Sequence, residues 1–264
     1  MSPILSRSRL RKREPGRVTS SLLVPPSAAK EFKGRPLLAA TLIVVDLSGS
    51  QPRILMGRRR PDAVFLPGKY VFPGGRVERS DGDVATAGAL SAHDLGCLKR
   101  GVRHADPERG LRAFVSAAIR ETFEETGYLV SVDGPVEADA LQSGWNALLE
   151  SGVRPDLNRL RYIARAITPP GRPRRYDTRF FLAEASAVHC VVSRTDGELS
   201  EIGWFGLDQV SDHDLPSITR MVLADLKVAL DGTSAPEIPF YFWRSGAFRR
   251  AVLKGRGSSL SGAA

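Results

Sequence analysis

The alternation of apolar and polar positions along this chain is that of a mixed α/β protein. Short runs rich in β-branched and apolar residues at 37–47, 53–58, 69–72, 128–132, 161–167, 178–184 and 198–205 predict strands. Longer stretches with apolar residues three and four apart predict helices at 111–126, 137–151 and 215–230, the last beginning after Leu215-Pro216-Ser217. A further short helix is expected near 84–98. The longest apolar run, Leu37–Leu47, has the length and branching of a buried strand, well short of the roughly 20 residues that span a membrane. Pattern alone supports an α/β or α+β class, with no internal repeat.

At 264 residues the chain can bury a substantial core, and one elaborated domain is expected. The formal charge of +9 is unevenly spread. The first 17 residues carry six Lys/Arg against one acid, the stretch after Pro239 carries five and no acid, and the body between is close to −1. This divides the chain into a basic, flexible arm and lead-in (1–35), a folded domain (36–232) and a basic C-terminal tail (233–264). Such arms suit contact with nucleic acid or anionic lipid, or simple solubilisation. Met1–Arg17, rich in Arg and Ser, resembles a mitochondrial presequence should the source be eukaryotic. Cys97 and Cys190 form no metal or redox pattern, so reduced thiols in a cytoplasmic protein are expected.

Residues 120–128, Arg-Glu-Thr-Phe-Glu-Glu-Thr-Gly-Tyr, change the picture most. Glu121, Glu124 and Glu125 stand at i, i+3 and i+4, so all three project from one helix face, where like charges repel. Carboxylate oxygens gathered this way suit Mg²⁺ or Mn²⁺. The alternative is a solvated acidic face with Arg120 pairing locally. Upstream, a short β-prone run leads into Pro73-Gly74-Gly75, a turn whose glycines allow a close backbone approach to a ligand. Strand, glycine turn and acidic helix together make a plausible metal–phosphate site.

The segment Gly75–Tyr128 resembles the signature of the nudix hydrolases: Gly, five residues, Glu, seven residues, then Arg-Glu-apolar-x-Glu-Glu-x-Gly-apolar. Arg120, Glu121, Glu124, Glu125, Gly127 and Tyr128 match. Thr122 replaces an aliphatic residue, and Asp81 stands at the first Glu. Between Asp81 and Arg120 lie 38 residues where the pattern has seven, an insertion of 31 within about 82–112. Such an insertion would cover substrate or be tolerated decoration; His93 and His104 within it receive no role. The resemblance spans 36–230 in outline and is specific at 54–81 and 118–128. It implies a nudix α/β/α sandwich on a mixed sheet and a pyrophosphohydrolase using Mg²⁺ or Mn²⁺. It further implies Glu121, Glu125 and Glu124 as metal ligands with the Gly75 carbonyl, Glu124 or Glu121 in catalysis, and Arg120 orienting the glutamates. Glu198 or Glu201 is the candidate loop base.

Within the superfamily the likeness runs towards enzymes that cleave CoA or acyl-CoA. It rests on Ile54-Leu55-Met56-Gly57-Arg58-Arg59, on Gly68–Gly75 with Phe72, on Asp81, and on the long insertion. Val64 stands where a second Arg is usual. The markers of ADP-ribose, diadenosine polyphosphate and NADH enzymes are missing; residues 142–146 are Gln, Ser, Gly, Trp and Asn. Arg58, Gly74 and Gly75 are the substrate-binding candidates, joined by Arg174 and Arg175 in the loop Thr168–Asp177, whose guanidinium forks match phosphate oxygens. That loop could equally be a polar hairpin connection. The expected partner is a small nucleoside diphosphate derivative of CoA type, with no membrane span. Another nucleoside diphosphate derivative, such as ADP-ribose or NADH, is the alternative substrate. A non-catalytic nudix-fold protein holding RNA or a partner is the alternative of another class.

Overall fold

The computed structural model describes residues 32–102, 104–134, 145, 152–190, 197–231 and 237–254. The N-terminal arm up to residue 31, the helix expected at 137–151 apart from Trp145, and the last ten residues lie outside the described residues.

The chain begins with β1 (Leu37–Asp46), β2 (Arg53–Arg59), β3 (Tyr70–Val71) and β4 (Gly74–Arg76). Two helices follow, α1 (Ala92–Leu98) and α2 (Pro107–Thr126). Then come β5 (Tyr128–Asp133), β6 (Val153–Pro155), β7 (Arg161–Ile167), β8 (Tyr176–Glu184), β9 (Val188–Cys190) and β10 (Leu199–Gly206). Helix α3 (Ser217–Leu230) and the strands β11 (Ile238–Arg244) and β12 (Ala247–Leu253) complete it. The large sheet has nine strands in the order β10-β2-β1-β8-β7-β11-β12, with β3 added on β2 and β4 on β1. It is mixed: β1 runs parallel to β8, and β7 parallel to β11, while the other pairs are antiparallel. A second sheet, β6-β5-β9, lies apart from it.

Strand β1 shows why the sheet sits between two helical layers. Its residues alternate between faces: Ala40, Leu42 and Val44 join a core with Phe114, Ala118 and Ile119 of α2. Ile43 and Val45 join another with Val222, Leu223 and Leu226 of α3. A strand buried on both faces reads as an unbroken apolar run, which is what Leu37–Leu47 shows. This is the α/β/α sandwich that the nudix resemblance implied.

The catalytic candidate helix α2 is bounded by its own sequence. Asp106 caps its start by accepting from the Glu108 and Arg109 amides, at 3.0 and 3.1 Å, and Pro107 occupies the first turn, where it has no amide to waste. Gly127 ends it in the left-handed region (φ 77°), closing on the Phe123 carbonyl. The helix therefore begins four residues before the expected 111. Thr122 fits the aliphatic position because its hydroxyl donates to the Ala118 carbonyl at 2.7 Å, leaving its methyl for the core.

Two expectations change. Residues 238–253, expected within a tail, form the β11–β12 hairpin, and Ile238, Tyr241 and Leu253 are core residues. The Arg residues of β12 belong to a sheet edge, where charge discourages further strand pairing. The segment after Asp81 does not form a free loop: Val84, Leu90, Cys97 and Leu98 are buried in the α2-side core. Arg165 donates to the Arg100 carbonyl and Asp94 accepts from the Tyr162 amide, pinning this segment to β7. No described helix is long and apolar enough to cross a membrane.

Candidate active site

Gly74 and Gly75 run beside β1, with Ala40 opposite Gly75, and bring the backbone against α2. A Cβ on Gly75 would lie 2.4 Å from the Glu121 carboxyl carbon. The Gly74 amide donates to Glu125 Oε2 at 2.9 Å. Arg120, 3% exposed, binds Asp81 through Nε (2.8 Å) and Nη2 (3.1 Å). Its Nη1 lies 2.9 Å from Glu124 Oε2 and 3.0 Å from Glu121 Oε1, and its Nη2 also donates to the Arg76 carbonyl. Asp81, fully buried, further accepts from the Glu78 amide at 2.7 Å and from Trp145 Nε1 at 3.0 Å. Residues 39 apart in sequence thus meet as the signature requires: Asp81 stands by Arg120 despite the lengthened spacer.

The electrostatics are unbalanced. One buried guanidinium faces three carboxylates, those of Asp81, Glu121 and Glu124, while Glu125 accepts from the Gly74 amide. Burial raises the Glu121 carboxyl to about 7 against the pull of Arg120, with Glu124 adding repulsion. Burial likewise raises Glu125 to about 8, the Gly74 amide opposing and Glu121 adding repulsion. Glu124 is shifted up by burial too. Arg120 is driven the other way: burial disfavours its charge, but the Asp81, Glu121 and Glu124 carboxylates outweigh that and hold it firmly protonated. Among the described residues no three His, Cys, Asp or Glu side chains converge closely enough to form a ready-made ion site. The donors nonetheless fit a hard divalent cation, because they are all oxygens, they carry excess negative charge, and Gly75 leaves room for nothing larger than hydrogen beside Glu121.

The two glycines predict separable effects. In Gly75→Ala the new methyl meets the movable end of Glu121, so turnover should fall about 100-fold with stability nearly unchanged. In Gly74→Ala it meets the Ala40 carbonyl at 2.6 Å and Thr41 Cα at 2.7 Å, backbone that cannot yield, and about 1–3 kcal/mol of stability should be lost. Urea denaturation run beside an activity assay tests the contrast. Equal destabilisation in both would show that Gly75 serves folding only.

Solved structures share this fold. A nudix hydrolase crystal structure from Alicyclobacillus acidocaldarius matches 75% of this chain and 96% of its own, at 29% identity and a TM-score of 0.55. The chain has the fold of a nudix hydrolase. A nudix hydrolase from M. Smegmatis also matches, over 80% of this chain and 96% of its own, at 17% identity and a TM-score of 0.41. No protein-family model and no curated protein matches the chain.

The remaining nudix candidates fall in different places. On β2, Ile54 and Met56 face the α3-side core and Leu55 the α2-side core. Arg58 continues the first set: it lies over the Tyr70 ring, with Nη1 on Glu201 Oε1 at 2.9 Å, turned away from the glutamate helix. Glu201 follows it, held by Arg58 and the Tyr70 hydroxyl, with φ 49° at an irregularity in the β10–β2 pairing. Arg59 continues the second set and faces α2, although Arg58 is the binding candidate that the run Ile54–Arg59 offers. Glu198 is its partner, with Arg59 Nη2 at 3.1 Å from Oε2. Arg175 donates to the Thr168 carbonyl at 3.0 Å, and Arg174 is exposed in the same loop. Strand register puts the start of β8 two strands across and three residues along from Gly75, roughly 14 Å away. His93 lies 3.8 Å from the Cys97 sulfur, and His104 serves the start of α2 by accepting from the Asp106 amide.

Proposed function

We propose that this nudix pyrophosphohydrolase cleaves the diphosphate linkage of CoA or acyl-CoA, releasing 3′-phosphoadenosine 5′-phosphate and an (acyl-)phosphopantetheine product. What carries the hydrolytic reading is the meeting of Asp81 and Arg120, which restores the signature in space around Glu121, Glu124 and Glu125. The CoA assignment is supported by the run Ile54–Arg59, by Gly68–Gly75, by Asp81 and by the long segment that follows it.

In this reading Glu121 and Glu125 are the direct ligands of Mg²⁺ or Mn²⁺, with Glu124 and the Gly75 carbonyl completing the set. A bound divalent ion would neutralise the diphosphate and lower the pKa of coordinated water. Arg120 holds two of the three glutamates and touches Asp81, so its part is to orient the ligands. Glu198, beside the C-terminal half of α2 through Gly197, is better placed than Glu201 to accept a proton from water. Arg174 and Arg175 offer a second phosphate a place away from the glutamates.

Incubation with Mg²⁺ or Mn²⁺ and a panel of CoA, acetyl-CoA, ADP-ribose, NADH and diadenosine polyphosphates, with products read by mass spectrometry, tests this. Release of 3′-phosphoadenosine 5′-phosphate is expected, and it should vanish in Glu125→Gln. Turnover of another member of the panel alone would discard CoA and keep the chemistry.

A further inference from the structure

Several connections crown one end of the large sheet. Strands β1 and β8 run parallel and start there, paired from Leu37 and Tyr176 onward. Strand β2, antiparallel to β1, ends there and leads into the loop 60–69. Strand β7 ends there at Ile167, opposite Asp177. Strand β11 runs parallel to β7, so the turn joining Arg244 to Ala247 reaches the same end. Backbone hydrogen bonds tie the lead-in to the loop after β7: the Phe32 amide donates to the Arg172 carbonyl at 3.0 Å, and the Leu37 amide to that of Arg175 at 2.9 Å. Segments 32–38, 168–176 and 242–248 hold Lys33, Arg35, Arg172, Arg174, Arg175 and Arg244, and not one acid. Asp62, Asp214 and Glu198 at the margin pair with Arg60, Lys69 and Arg59, so they leave that excess uncancelled.

Apolar side chains stand among these cations. Val64 is 65% exposed in the loop after β2, and Leu38 is 46% exposed at the start of β1. Trp243 is half-buried next to the exposed Arg244 at the hairpin turn. We infer that this end of the sheet is a docking face for an anionic lipid surface. The negative potential of such a surface attracts each Lys and Arg brought near it. An aliphatic side chain enters the acyl boundary, and an indole suits the headgroup level. A nucleic acid would use the same charge, but it also stacks its bases on open rings. The rings here are engaged with one another: Phe65 meets Tyr176 edge-on at 5.1 Å, and Phe242 stacks on Phe240 at 4.7 Å. Exposed aliphatic groups beside them give a polynucleotide nothing to hold. Gly75 lies opposite Ala40, three residues in from the start of β1, so docking would hold the glycine turn close to the lipid.

Docking stands on charge and exposure and is independent of which substrate is cleaved. The whole chain would be sedimented with vesicles of equal parts phosphatidylcholine and phosphatidylglycerol, and with phosphatidylcholine alone. Binding to the anionic vesicles only is expected, weakening as salt rises. Lys33→Gln combined with Arg35→Gln should weaken it about 25-fold, roughly 5-fold for each charge removed, and Arg244→Gln about 5-fold. Val64→Ser should weaken it several-fold with no change of charge. These positions are exposed, so an unchanged melting temperature is expected in every variant. Binding that survives undiminished in the Lys33/Arg35 and Val64 variants would place the contact on the basic residues before Phe32 and overturn the inference. Equal binding to neutral vesicles, or no binding to either, would overturn it as well. Retention of polyuridylate in place of the vesicles would make this a nucleic-acid face instead.

Discussion

Replacing Glu125 with glutamine is expected to lower turnover on the order of 10³-fold and to stabilise the metal-free protein. The loss follows from the proposed metal-binding role, because glutamine keeps the shape and removes the charge; its carbonyl can still accept from the Gly74 amide. The gain follows from burial, which raises Glu125 to about 8 and Glu121 to about 7, above the ordinary 4.5. Over that interval the folded chain keeps protons that the unfolded chain has released. Stability in a chelated sample therefore falls as pH climbs from about 4.5 to 8, and Glu125→Gln removes part of the slope. At neutral pH the difference should be about 1–3 kcal/mol, visible as a rise of several degrees in Tm. Added Mg²⁺ should stabilise the wild type and leave the variant nearly unmoved. A variant that loses turnover and melts earlier than wild type would make Glu125 a structural residue.

Arg120→Met should be the most destabilising substitution at the site, by about 3–5 kcal/mol. It strips the fully buried Asp81 of its ion pair and leaves only the Glu78 amide and the Trp145 indole as its partners among the described contacts. It also releases Glu121 and Glu124 to repel each other. The penalty belongs to the uncompensated charge rather than to the bond, so Asp81→Asn in the same chain should return part of it. Urea denaturation of the two single variants and the double variant measures this. An Arg120→Met protein within 1 kcal/mol of wild type would mean that water reaches Asp81 and the cluster is not buried as the contacts indicate.

Much of this was legible in the chain. Strands over 37–47, 128–132 and 161–167 declared themselves because two-sided or alternating burial leaves a period that no helix shares. The glutamate helix was legible for the same reason, and because Gly127 marks its end. Its true start was also written, in Asp106-Pro107, but the apolar period becomes regular only further on. The β11–β12 hairpin was obscured by Arg244, Arg249, Arg250 and Lys254, whose charge reads as a tail until β7 is seen to need a neighbour. Arg58 and Arg59 were indistinguishable as letters. Which of them faces the glutamates depends on which side of β2 carries α2, a long-range fact that no local pattern contains.

The long spacer between Asp81 and Arg120 has a consequence for how the protein reaches its native state. Tethering those two groups through 38 residues instead of seven costs about 1.5 kcal/mol more chain entropy at closure. Packing of Val84, Leu90 and Leu98 into the α2-side core offsets it, each contributing about 1.5–3 kcal/mol. Because that offset arrives only with the packing, the glutamate helix gains its Asp81 partner after this segment has condensed. Hydrolytic competence should therefore be among the last properties recovered in refolding, behind the burial of Trp145, whose indole closes on the same carboxylate.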